Sequence, residues 1–286
     1  MLFKTPKLRL GRIGAMAAAL AVGVSSSLLA HDFWLVPMRF DSAPGSSLEV
    51  HGQTGSRFPT SQSAVAVERV AEARLIGASD EERVTEMSIA GHSLVLKHAP
   101  RTAGQRVMAV VLQPTSRRVA PAGLKRYIGL EGAPELAESL DRQGAFAGFD
   151  SATMKAQKFA KAIVEVGQGG PRAFSRTAAH GLEIVPLGDP GAVHPGGQLS
   201  FRLLFRGAPV AGAYLRAGTA PDSARPGSSA AKADTILVTN GDGIATVSVT
   251  EGLWNVRSLH AAPLPSSRTE WDVFFGTLVF RVAGHR

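Results

Sequence analysis

The chain has no cysteine among its 286 residues. Disulfides therefore cannot staple the fold and thiolate metal sites are excluded, so a metal ion would have to be held by His, carboxylate, Met or backbone groups. Aromatic residues are sparse, with three Trp and two Tyr, which argues against the exposed aromatic surface of an adhesive module. Beyond residue 30 no run is long and apolar enough to cross a membrane. No Gly-x-Ser-x-Gly elbow, Gly-x-x-x-x-Gly-Lys loop or cysteine nucleophile is present. Local metal motifs are missing too: there is no His-x-x-x-His, no His-Glu-x-x-His and no His-rich tract. Asn240-x-Asp242 imitates the start of a calcium loop, but Ile244 and Thr246 stand where further ligands belong, and a β-turn explains it better. These absences lead to the expectation of a protein that is not an enzyme.

What is present begins with segment 1–30. Lys4, Lys7, Arg9 and Arg12, with no acid among them, precede the apolar run Ile13 to Val24 and then Ser25-Ser26-Ser27-Leu28-Leu29-Ala30. That order is the order of a secretory signal peptide and predicts export to a bacterial periplasm. Gly14 and Gly23 interrupt the run, which falls short of the roughly 20 apolar residues of a spanning helix. The segment is thus read as a cleaved leader rather than an anchor. A cut after Ala30 makes His31 the first residue of the mature protein. Leu28 is bulky for its place before that cut, and a cut after Ser27 would leave His31 internal. Removing the leader's four bases lowers the formal charge from +8 to +4, too little to argue for nucleic acid.

The remaining chain, long enough for a substantial core, is punctuated by Gly and Pro into short apolar runs, the pattern of antiparallel β structure. In the first half, strands are predicted at 32–37, 47–51, 73–76, 93–97 and 106–112. One helical excursion is expected over 122–143, interrupted at Gly132 and restarted at Pro134. In segment 153–166, Lys155, Lys158 and Lys161 recur every third residue; this is read as a strand or helix with a solvated basic face rather than an anion site. Gly167-Gln168-Gly169-Gly170-Pro171 breaks regular structure. The predicted organisation is a leader (1–30), a strand-rich domain with a helical insertion (31–170) and a C-terminal domain (171–286). In the latter, runs at 199–205, 235–239, 244–249, 253–259 and 273–282 predict a β-sandwich of immunoglobulin-like or prealbumin-like architecture, with Asn240-Gly241-Asp242-Gly243 as a turn between two strands. The fold class is mainly β.

Five segments in order carry a resemblance: His31-Asp32-Phe33-Trp34-Leu35-Val36-Pro37, Gly181 to Pro190, Leu203 to Ala213, Asn240 to Gly243 and Gly252 to His260. Together they resemble the NikM-like family of exported bacterial proteins, long catalogued as a domain of unknown function. The resemblance implies a periplasmic component associated with nickel or cobalt uptake, acting beside a membrane permease, with a C-terminal part similar to carboxypeptidase regulatory-like sandwiches.

Chemistry rests on eight histidines. An N-terminal His31 chelates a late transition metal through its α-amine and ring nitrogen, and such nitrogen donors suit copper, nickel, cobalt and zinc. His260, at the end of the Trp254 segment, is the candidate second ring, and His51, before Gly52, the third. His92, His98, His180 and His194 read as turn residues, and His285 lies beside the C-terminus. The expected metal site is His31, His260 and His51 around a divalent Ni, Co or Cu ion. Two other classes remain open at this point: a copper-dependent oxidative enzyme using an N-terminal histidine, and a metal-free adhesive sandwich.

Overall fold

A computed structural model of the chain describes residues 32–131, 133–221 and 234–284. The first half contributes β1 (Asp32–Pro37), β2 (Asp41–Ser42), β3 (Leu48–Gly55), β4 (Val70–Ile76), β5 (Glu81–Arg83), β6 (Glu86–Ala90), β7 (Ser93–His98), β8 (Gly104–Leu112) and β9 (Thr115–Val119). Helices α1 (Pro121–Leu130) and α2 (Pro134–Arg142) follow, then the long strand β10 (Ala152–Val166). The second half supplies β11 (Leu182–Pro186), β12 (Gln198–Phe205), β13 (Ala208–Pro209), β14 (Tyr214–Ala220), β15 (Thr235–Val238), β16 (Ile244–Ser248), β17 (Gly252–Leu264) and β18 (Ser267–Val282). The protein is mainly β, and each helix carries proline in its first turn, where the missing N–H costs nothing.

Among the described residues, a ten-stranded sheet runs β15-β14-β17-β18-β10-β8-β4-β5, with β2 and β9 also paired to β10. It takes strands from both sides of the Gly167–Pro171 break. At its centre β10 and β18 lie parallel, Thr153 opposite Glu270 through Ala162 opposite Val279.

Strand alternation gives this sheet two chemically distinct faces. On β10, Ala160, Ala162 and Val164 join Val279 and Leu253 against Phe33 and Leu35 of the sheet β1-β3-β7-β6. Farther along the same face Met154 and Ala156 meet Leu124, Tyr127 and Ile128 of α1. The opposite face presents Phe159, Ile163, Trp254, Val256, Leu278 and Phe280 to Leu182, Ile184, Phe201 and Leu203 of the third sheet, in which β12 pairs with β11, β13 and β16. The molecule is thus three layers of sheet, with the helical hairpin sharing one outer layer. All six residues of β1 are buried, because Trp34 also meets the ring of Phe58 edge-on at 5.6 Å on its other side.

One local reading of the sequence is corrected, and a second is borne out with a change of setting. The three-residue spacing of Lys155, Lys158 and Lys161 forms no single basic face, because a strand has period two. Lys155 is exposed, Lys158 points towards the helical hairpin, and Lys161 is 1% exposed on the opposite face. The Asn240–Gly243 turn does join two strands, yet β15 pairs with β14 and β16 with β12. It therefore crosses from one layer to another instead of closing a hairpin. Asn240 Oδ1 accepts the backbone N–H groups of Asp242 (3.0 Å) and Ile244 (2.9 Å), and Gly243 adopts φ 72°.

Candidate functional site

The histidines selected from the sequence are distributed as follows. His31 lies outside the described residues, as does His285. His51 sits inside β3 rather than at a strand end, opposite Val36 of β1 and Val95 of β7. Its Nε2 is 2.7 Å from Glu49 Oε1, and that contact draws the Glu49 carboxyl below its ordinary range despite partial burial.

His260 is half-buried on β17, with its ring stacked on Phe205 at a centroid distance of 4.0 Å. Phe205 in turn lies 5.0 Å beneath the guanidinium of Arg206, which pairs with Asp272. Burial, aided by Arg206, pushes the His260 pKa below its ordinary value, with Asp272 opposing. His98 is bonded to Glu82 at 3.0 Å, and His180 is buried against Phe159 rather than exposed in a turn.

His51 and His260 do not converge. Asp32, which follows His31, pairs with Gly55, whereas His51 pairs with Val36 at the other end of β1, about 13 Å along the strand. His260 projects from the face of β17 that meets the third sheet, while Arg257, the partner of Asp32, projects from the other face. Among the described residues no group of three or more His, Asp or Glu side chains is placed to hold a metal ion.

What the sheet does assemble is a buried charged layer where β1 begins. Arg216 on β14, Arg257 on β17 and Lys158 on β10 rise from the same face of the central sheet. Opposite them, Glu135 of α2 grips Arg216 through both oxygens (2.8 and 2.7 Å). Asp32 Oδ2 and Asp234 Oδ2 share Arg257 at 2.9 and 2.5 Å. Thr277 on β18 anchors the start of β1 by donating to the Phe33 carbonyl at 2.7 Å.

Two groups in this layer are left without hydrogen bonds. Glu131, the residue that caps the C-terminal end of α1, is 5% exposed, and neither of its carboxylate oxygens accepts one from a described residue. The Lys158 ammonium is 4.0 Å away. Burial raises the Glu131 pKa to about 8, Lys158 and Arg117 opposing it and Asp32 adding to it. The negative end of the α1 dipole also disfavours a carboxylate there. On β17, Asn255 is fully buried with both side-chain polar atoms unbonded. Unmet polar atoms at such depth cost about 1–3 kcal/mol each. The sequence offered one hint, a lysine at the same strand parity as Met154, Ala156, Ala160, Ala162 and Val164, an otherwise apolar face of β10. Glu131 itself fell within the predicted helical excursion and carried no signal.

The sequence profile of the family described as "Domain of unknown function (DUF4198)" matches residues 28–262. No curated protein matches the chain. Among solved structures, trypsin-activated α2-macroglobulin from Escherichia coli aligns over 89% of this chain at 10% identity and a TM-score of 0.23. The alignment takes in only 16% of that protein, so the chain spans a small part of its length. The Yersinia pseudotuberculosis adhesin InvE aligns over 91% of this chain and 64% of its own, at 12% identity and a TM-score of 0.23. Three N-terminal domains of the bacteriophage RB49 outer capsid protein Hoc give 8% identity, 90% and 71% coverage and a TM-score of 0.24. Scores this low assign no function.

Proposed function

The chain belongs to the DUF4198 family, and from that premise we propose that it is an exported, non-enzymatic protein that captures a divalent transition metal at its mature N-terminus. In this reading the α-amine and imidazole of His31 supply nitrogen donors and Glu131 supplies a carboxylate. The observation that carries it is the Glu131 carboxyl, buried without a hydrogen bond from a described residue in the same layer as Asp32, the residue bonded to His31. Mixed nitrogen and oxygen donors suit nickel, cobalt, copper and zinc. The donor set therefore fits the cargo implied by the NikM-like resemblance. Delivery to a membrane permease from the periplasm belongs to the same proposal. Arg257 would act on the site indirectly, by fixing Asp32 and hence the direction in which the chain leaves β1.

The test is direct. Periplasmic protein is purified, its N-terminus identified by mass spectrometry, and Ni, Co and Cu are titrated by calorimetry into the wild type, His31→Ala and Glu131→Gln. A start at His31 is expected, with either substitution weakening binding about tenfold or more. A start at Leu28, or equal affinity in the wild type and His31→Ala, overturns the proposal.

A further inference from the structure

The gap between the β1-β3-β7-β6 sheet and the helical hairpin holds a cavity of about 290 Å³. Ala64, Val65, Leu112 and Ala156 give it apolar walls. Its charged lining residues are both cations, Arg69 and Lys158, and no acidic side chain is among the described residues that line it. Arg69 reaches across by donating to the Gln113 carbonyl at 2.8 Å, and the Lys158 ammonium lies 5.0 Å above the Phe275 ring. A mostly apolar chamber with two cations in its wall is complementary to a molecule with a hydrocarbon body and one negative head. At ~30 Å³ for each water-sized group, the volume takes roughly ten non-hydrogen atoms.

We infer that this cavity binds a small monocarboxylate, its hydrocarbon against the alanine and leucine walls and its carboxylate towards Lys158 and Arg69. Octanoate has the right size and charge, and 1-octanol is its neutral counterpart. Both are titrated into the full mature protein in the presence of a chelator, with binding followed by calorimetry and by NMR of the ligand. Saturable binding of octanoate is expected, with octanol about tenfold weaker or worse. Arg69→Met and Lys158→Met should each bring octanoate down towards octanol. Because Lys158 also faces Glu131, the partly exposed Arg69 provides the cleaner variant. Ala64→Trp, which fills the cavity, should abolish binding of both ligands. His31→Ala should change neither, which separates this site from the metal proposal. Equal binding of octanoate and octanol, no effect of Arg69→Met and Lys158→Met, or no saturable binding overturns the inference.

Discussion

The ion pair between Lys161 and Glu183 gives a quantitative test of how the layers are locked. Nζ and Oε1 are 2.7 Å apart, with side chains 1% and 2% exposed, bridging β10 and β11. Glu183 also accepts the backbone N–H of Ala178 (2.6 Å) and of His180 (3.3 Å). Burial pushes the Lys161 pKa down, while Glu183 holds it up. Glu183→Leu removes that support and strands two N–H groups, whose loss costs on the order of 2 kcal/mol at any pH. The stranded ammonium adds a penalty with a ceiling, because the lysine can always shed its proton. At pH 7 that ceiling is about 5 kcal/mol, from the ordinary lysine value near 10.4, and it falls by about 1.4 kcal/mol per pH unit. The destabilisation by Glu183→Leu should therefore shrink as pH rises from 7 to 9. Lys161→Met has the opposite trend, since Glu183, left with only the Ala178 and His180 N–H groups, can escape its charge by taking up a proton, which caps the penalty at about 4 kcal/mol at pH 7 and about 1 kcal/mol at pH 5. The double variant should lose little beyond the N–H groups. Urea unfolding of all four proteins between pH 5 and 9 measures this. Parallel pH profiles for the two single variants would refute the argument.

Three further outcomes are expected. Glu131, raised to about 8, holds a proton in the folded chain that the unfolded chain has released above about 4.5; stability in chelator should thus fall as pH rises between those values, and Glu131→Gln should flatten that slope in urea titrations. Asn240→Ala removes the acceptor for two turn N–H groups and should cost about 1 kcal/mol, read as a lowered Tm. The His260 imidazole should titrate below its ordinary value by NMR, and Phe205→Leu, which unstacks it, should move that value upwards.

Much of the architecture was legible in the sequence because period-two alternation survives wherever one face is buried. The stretch 199–205 announced β12, and Gly132 with Pro134 announced the break between α1 and α2. β14 went unread, since Tyr-Leu-Arg-Ala-Gly-Thr-Ala offers little hydrophobic contrast. So did β6 and β9, none of whose residues is buried. The lysine pattern misled because a spacing of three suggests one helical face, whereas a strand sends Lys158 and Lys161 to opposite layers. The candidate site was the least legible part. Asp32, Glu131, Asp234 and Arg257 come from four distant segments, and only the register of β14, β17 and β18 assembles them.

The place of β18 has a consequence for how the protein comes into being. β18, the last of the described strands, is inserted between β17 and β10, and its parallel ladder with β10 spans ten residue pairs. A chain synthesised N-terminus first leaves β10 without this neighbour until residues 267–282 have been made. Pairing so distant in sequence is slow to form. β18 is therefore a closing key: deleting it should leave both halves as open sheets that unfold or aggregate.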